Sequence, residues 1–137
     1  MAYQIIRKNR IKEELQLCHA NGDLALSIPV DINVDEMGAK VMKAQETLAE
    51  AQNLVRENPN APEALDAFGR AICTLFAVLF GEDNTAKILE FYEGNYSEML
   101  LDIFPFINDA VMPAIREASA SRKAQLMNAA KAAKRMR

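Results

Sequence analysis

The chain has 137 residues, half of them apolar and 26% charged, which is typical of one globular domain and not of a disordered chain. Its net charge is −3, but residues 13–118 hold all 19 acids and six of the 16 bases, which gives this part a net charge of −13. Because such an acidic body repels phosphates, it argues against a nucleic-acid-binding core. No apolar run reaches about 18 residues and the first residues lack the apolar segment of a secretory signal, so we expect neither a membrane span nor a signal peptide.

A β-hairpin is predicted at the front of the chain, with strands at about 13–20 and 23–31. Asn21-Gly22 is the dipeptide favoured in a type I′ turn, because both central residues take positive φ. Apolar residues alternate on both sides of it, so the register is well specified. The predicted cross-strand pairs are Leu17 with Leu26, Leu15 with Ile28, and Ile11 with Ile32. Because two strands alone are marginally stable, we expect their apolar face to rest on the helix that follows.

The rest of the domain is predicted to be a bundle of about four helices, which makes the fold mainly α. The predicted ranges are about 34–57, 61–80, 84–92 and 96–118. Apolar residues recur at helical spacing in each, and capping residues precede each start. The predicted N-caps are Asn33, Asn60, Asp83 or Asn84, and Asn95. Pro105 and Pro113 lie inside the last helix, so we expect a kink or a break near each.

The composition changes after Ala118, which divides the chain into a globular domain, 1–118, and a tail, 119–137. The tail is rich in alanine and its only charges are basic: Arg122, Lys123, Lys131, Lys134, Arg135 and Arg137. Alanine favours a solvent-exposed helical extension, whereas the scarcity of apolar residues favours a frayed or disordered tail, and both alternatives stand.

Residues that support catalysis or metal binding are few. His19 is the only histidine and lies beside the predicted turn, where water cannot be excluded, so we interpret it as an exposed strand residue. Cys18 and Cys73 have no metal-binding spacing and are expected to be reduced thiols. One histidine and two distant cysteines cannot complete a zinc site.

Carboxylate pairs occur at Glu13-Glu14, Asp35-Glu36 and Glu82-Asp83. The last two pairs lie at predicted helix starts, where acids stabilise the helix dipole. Nothing pairs them with an apolar pocket, and the single glycines form no phosphate-binding loop. We therefore predict a protein that is not an enzyme, with no catalytic residue, no bound metal and no cofactor.

Two segments resemble a known family. FGEDNTAKILEF, from Phe80 to Phe91, is similar to the "FGEG…EKIF" turn of small tailed-phage proteins, and SEMLLDIFPFI, from Ser97 to Ile107, is similar to the pattern that follows it there. In that family, too, a hairpin precedes the helices. The family is the tail assembly chaperones of siphophages and related prophages, and the resemblance covers roughly residues 10–118.

The resemblance implies a soluble protein of the host cytoplasm that coats the long, partly apolar tape measure protein during tail assembly. It implies self-association and absence from the finished virion. Many members also have a C-terminally extended form made by ribosomal frameshifting, with which the lysines near the end, Lys131 and Lys134, are compatible. The family supplies no binding residue to carry over.

A holdase of this kind needs exposed apolar surface, charge for solubility and many weak contacts. The stretch from Phe68 to Ile115 is rich in Phe and Met, and part of it is expected to remain exposed beside a core. The predicted partner contacts are Phe91, Tyr92, Tyr96, Met99, Phe106 and Met112.

Two other functions are carried as alternatives. One is a structural or head–tail connection protein that stays in the particle. The other is a small nucleic-acid-binding protein acting through the basic tail, against which stands the absence of any aromatic residue there to stack on bases.

Overall fold

The architecture was obtained as a computed structural model that describes residues 2, 4 and 10–135. Two strands are followed by a series of helices. The elements are β1 (Arg10–Cys18), β2 (Leu24–Asn33), α1 (Val34–Glu57), α2 (Pro62–Phe80), α3 (Glu82–Phe91), α4 (Tyr96–Phe106), a π-helical turn (Ile107–Val111) and α5 (Met112–Arg135). This confirms the mainly helical fold with an N-terminal hairpin packed on helices.

The hairpin register agrees with the sequence. β1 and β2 pair antiparallel, and the three predicted apolar pairs are all present. Both strands extend further from the turn than predicted, beginning at Arg10 and ending at Asn33. Because side chains alternate between the two faces of a strand, this register buries Ile28, Val30 and Ile32 together.

The predicted type I′ turn is wrong. The connection spans five residues, 19–23, and among Asn21 and Gly22 only Gly22 has positive φ, at 92°. The Asn21 side chain instead accepts a hydrogen bond from the Asp23 amide at 3.0 Å, and the Gly22 amide donates to the His19 carbonyl at 2.9 Å. An irregularity in the ladder between Leu17 and Cys18 absorbs the change of register.

The core lies between the hairpin and the helices. The apolar face of β2 packs on α1, α2 and α3, so the expected support from α1 alone is incomplete. α2 is the most enclosed helix because most sides of it are apolar. The largest fully buried side chains of these elements are Phe76, Ile28, Ile32, Ile72, Leu75 and Ile88.

Two of the predicted helix caps are confirmed and two are wrong. Asn33 and Asn95 accept hydrogen bonds from the third amide of α1 and of α4. The N-cap of α2 is Ala61, not Asn60, because Pro62 has the φ of a first helical residue and begins the helix there. The N-cap of α3 is Gly81, ahead of the predicted Asp83 or Asn84. Gly81, with φ of 87°, is both the C-cap of α2 and the N-cap of α3.

Helical structure continues through both internal prolines. Pro105 lies inside α4, and Pro113 is the second residue of α5. Between them the Met112 amide donates to the Ile107 carbonyl, five residues back. Pro113 has no amide hydrogen and its ring crowds the carbonyl of Asp109, so a widened turn relieves the clash without ending the helix.

α5 carries the chain away from the rest of the structure. Ile115 packs near Gly38 of α1, and Ala118 is its last buried residue. Arg122 then pairs with Asp35 at 2.7 Å. Residues 119–134 are exposed and helical in the structure; we call them the extension and residues 10–118 the body. Arg137 lies outside the described residues. None of the described helices is long and apolar enough to cross a membrane.

Candidate partner-binding surfaces

The six predicted contact residues do not form one surface. Phe91, Tyr96 and Phe106 are half-buried, whereas Tyr92, Met99 and Met112 are buried. Met99 and Met112 belong to the core and have no surface to offer a partner in this conformation. Contact through the half-buried residues stays a prediction.

Phe91 and Tyr92 lie at a cleft between β1 and the C-terminal end of α3. The cleft has a volume of about 670 Å³ and α4 forms its other wall. The Tyr92 ring stands edge-on to the Phe91 ring, with centroids 5.0 Å apart, and the centroid of the His19 ring lies 5.8 Å from that of Phe91. The complete lining is Leu15, Gln16, Leu17, Cys18, His19, Ala20, Phe91, Tyr92, Glu93, Glu98, Asp102 and Ile103.

A buried phenol is part of the lining of this cleft. Tyr92 is only 7% exposed, and its hydroxyl donates to Asp102 Oδ2 at 3.0 Å. Burial, that hydrogen bond and the negative charges of Asp102 and Glu98 raise the pKa of Tyr92 well above its usual range. The phenol therefore remains a neutral donor that ties α3 to α4.

Tyr96 lies on a different side of the molecule, over α2. A Cβ on Gly69 would stand 2.6 Å from Cε2 of the Tyr96 ring, so only glycine fits under it. The groove beside this contact, about 480 Å³, also includes Cys73, and burial raises the pKa of its thiol. The neutral, partly buried Cys73 is a poor nucleophile.

Phe106 faces inward from the last turn of α4. Its ring lies 6.4 Å from that of Phe80, which in turn stands edge-on to Phe76 at 5.5 Å. The residue thus extends an aromatic cluster that belongs mainly to α2, and only part of its side chain reaches the surface.

The apolar residues that α4 does expose were missed from the sequence. Leu101 is 74% exposed and Phe104 is 39% exposed. Acidic Glu98, Asp102 and Asp109 are also exposed along this stretch. We call Leu101 and Phe104 the α4 ridge. Helical spacing contained the signal: Met99, Ile103 and Ile107 recur every four residues and face the core, which turns Leu101 and Phe104 outward.

The extension also exposes apolar side chains. Leu126 is 65% exposed and Met127 is 52% exposed. Within residues 119–134 the charged side chains are all basic and exposed: Arg122, Lys123, Lys131 and Lys134. The extension is therefore opposite in charge to the body.

His19 is exposed and its described ring contact is with Phe91. Within residues 2, 4 and 10–135 no group of three or more His, Cys, Asp or Glu side chains is placed to hold a metal ion. Cys18 and Cys73 are free thiols, Cys18 exposed and Cys73 partly buried. These residues converge on no common centre in the structure.

No family model, no curated protein and no solved structure matches this chain.

Proposed function

We propose that this protein is a tail assembly chaperone of a siphophage or prophage. In this proposal it binds the tape measure protein and keeps it soluble in the host cytoplasm, and its work is binding without catalysis. Self-association, a C-terminally extended form and absence from the finished virion are parts of the same proposal. The resemblance of the segments from Phe80 to Phe91 and from Ser97 to Ile107 supports it.

The observation that carries the proposal is the α4 ridge. Leu101 is 74% exposed and Phe104 39% exposed on a helix whose core-facing residues are already buried, so Leu101 and part of the Phe104 ring are available to a partner. Exposed apolar side chains near carboxylates suit a partner that carries both apolar and basic residues. Weak contacts of this kind, repeated over many copies along a long partner, are what a holdase requires.

Co-expression with the tape measure protein encoded in the same genome tests the proposal. We expect the tape measure protein to stay in the soluble fraction and to co-purify with the wild-type chain. The double variant Leu101→Ser/Phe104→Ser should retain several-fold less of it, because each substitution removes a large apolar contact. A tape measure protein that remains insoluble beside the wild-type chain would contradict the proposal.

A matched control is available on other helices. Leu54 of α1 and Leu65 of α2 are 47% and 46% exposed, so Leu54→Ser/Leu65→Ser removes similar apolar area far from the ridge in sequence. This control should retain as much tape measure protein as wild type. Circular dichroism of both double variants should show the wild-type helical signal, which separates loss of binding from loss of fold.

The structural-protein alternative makes a different prediction about particles. A tail assembly chaperone should be missing from purified virions, whereas a head–tail connection protein should be present in fixed copy number. Mass spectrometry of purified particles separates the two.

The extension favours nucleic acid binding as a second candidate function. Its exposed helix presents Arg122, Lys123, Lys131 and Lys134 with no acidic residue between them. Basic side chains that contact phosphates release counterions, so binding falls steeply with salt. Gel shifts with duplex DNA and with RNA at low salt test this candidate, and no shift at about 50 mM salt would exclude it.

A further inference from the structure

The outer edge of β1 forms one wall of the cleft at Phe91 and Tyr92. The sheet has two strands, so β1 pairs with β2 on one side only. Within the described residues no backbone hydrogen bond joins β1 to any element other than β2 and the turn. Alternate residues of such a strand direct their amide and carbonyl groups away from the partner strand. β1 therefore has backbone groups ready to pair with another extended chain.

The lining of the cleft locates this edge. Six consecutive residues, 15–20, line it, although neighbouring residues of a strand point to opposite faces. No residue of β2 takes part. Because β1 contributes residues of both its faces to the lining and β2 contributes none, the cleft lies along the outer edge of β1. The strand part, Leu15–Cys18, offers roughly 13 Å of edge at about 3.3 Å per residue.

The wall opposite this edge is acidic. Glu93, Glu98 and Asp102 line it, and no lysine or arginine is present in the cleft lining. Asp102 accepts one hydrogen bond from Tyr92 and Glu98 one from Asn95, which leaves further acceptor capacity on both carboxylates. The Phe91 ring adds an apolar contact to the lining of the cleft.

We propose that this cleft binds an extended, lysine- or arginine-containing peptide segment of another protein, which adds to β1 as a third strand. Main-chain hydrogen bonds to β1 supply affinity, and basic side chains directed at Glu93, Glu98 and Asp102 supply selectivity. The cleft exists independently of any role in tail assembly, so this inference stands apart from the proposed function.

Charge and conformation disfavour two segments of a second copy, its β1 edge and its extension. Pairing two β1 edges would bring the three carboxylates of one cleft close to those of the other, and like charges repel. The extension is basic, but it is helical, and its backbone groups are already bonded within the helix. A foreign segment in extended conformation meets both requirements.

A synthetic octapeptide of lysines alternating with valine or threonine, acetylated and amidated, tests this inference on the full chain. We expect binding at low salt, with NMR shift changes confined to residues 15–20, 91–93, 98 and 102. Amide exchange should slow at alternate residues of Leu15–Cys18, which only main-chain pairing produces. The same peptide with glutamate in place of lysine should bind at least fivefold more weakly.

Two further comparisons separate strand addition from simple charge attraction. Methylating every backbone nitrogen of the basic octapeptide keeps its charge and removes its amide donors, and we expect binding to fall about tenfold or more. On the protein, Glu98→Gln/Asp102→Asn should weaken binding roughly fivefold. Both substitutions preserve the existing hydrogen bonds, so the fold is retained. The control Glu46→Gln/Glu50→Gln, on exposed positions of α1, should change binding less than twofold.

Three results would overturn the inference. They are equal binding of the basic and acidic peptides, undiminished binding of the methylated peptide, and shift changes located away from the cleft. Protection of β1 amides in concentrated, peptide-free protein, together with a doubled sedimenting mass, would also overturn it and assign the edge to a second copy.

Discussion

One helix, α5, belongs to two different environments. In its first turns Met112, Ile115 and Ala118 are buried against the body, whereas Leu126 and Met127 farther along are exposed. The backbone is helical throughout. The high helix propensity of alanine and the helical turns before it are enough to continue the helix. Burial additionally requires a neighbouring element, and the contacts of α5 with α1 end at the ion pair between Arg122 and Asp35.

The largest difference between body and extension should appear on removing a large apolar side chain. Phe76→Ala removes a fully buried ring from the core, and we expect the free energy of unfolding to fall by about 3–5 kcal/mol. Leu126→Ala, on the exposed extension, should change it by less than about 0.5 kcal/mol. Urea denaturation followed by circular dichroism measures both. Comparable losses of unfolding free energy for the two variants would contradict the distinction between a packed body and an exposed extension.

A close backbone contact should make the body sensitive to one methyl group. Gly69→Ala would place a Cβ 2.6 Å from the Tyr96 ring, and we expect a net loss of about 1–2 kcal/mol despite the better helix propensity of alanine. In a Tyr96→Ala background the clash is absent, so the same change should stabilise by up to about 1 kcal/mol. Thermal unfolding of the four proteins forms a double-mutant cycle, and additive effects would show that the ring does not pack on Gly69.

The hydrogen bond between Tyr92 and Asp102 should contribute more to the free energy of unfolding than the ion pair between Arg122 and Asp35. Tyr92→Phe removes the hydrogen bond to Asp102, and we expect a loss of about 1 kcal/mol at neutral pH. Arg122→Ala removes the half-exposed pair with Asp35 and should cost no more than about 0.5 kcal/mol. An equal or larger loss from Arg122→Ala would contradict this ranking.

The same tyrosine should produce a dependence on alkaline pH. The folded pKa of Tyr92 is raised above the unfolded value, so its contribution to stability is complete below the unfolded pKa, about 10, and is lost as pH rises above it. Tyr92→Phe has no such ionisation, and the stability difference between the two proteins should shrink from pH 10 upward. A constant difference up to pH 11 would show that the folded pKa is not raised.

A further effect concerns backbone strain, which the body contains at Glu93. This residue has φ of 53° at the end of α3, a conformation that glycine adopts without cost. We expect Glu93→Gly to stabilise the protein by about 1 kcal/mol. Glu90→Gly, within the regular part of α3, should destabilise it by a similar amount. Changes in melting temperature of the same sign for both variants would show that Glu93 is not strained.

Local patterns in the sequence predicted much of the fold. Alternation fixed the pairing of Leu17 with Leu26, because a one-residue slip would expose the whole apolar face. Asn33 and Asn95 marked helix starts through a bond between near neighbours, which depends on nothing distant. The type I′ turn failed because the Asn21 side chain caps the loop through the Asp23 amide, an alternative that the dipeptide alone does not reveal.

The surfaces were harder to predict because they depend on tertiary packing. Met99 and Met112 read as adaptable contact residues, but the helices around them enclose both. The predicted contact residues included neither Leu101 nor Phe104, whose exposure depends on which face of α4 meets the core. The cleft at β1 joins residues far apart in sequence, from Leu15 to Asp102, which no local pattern connects.

Hydrogen exchange of the isolated chain, read by mass spectrometry, most directly tests the division between a folded body and an exposed extension. We predict that peptides from α2 exchange only through global unfolding, whereas peptides covering 123–134 exchange within about a hundredfold of the unstructured rate. Protection of the extension equal to that of α2 in dilute monomer would contradict the account, because it would require packing that the structure does not contain.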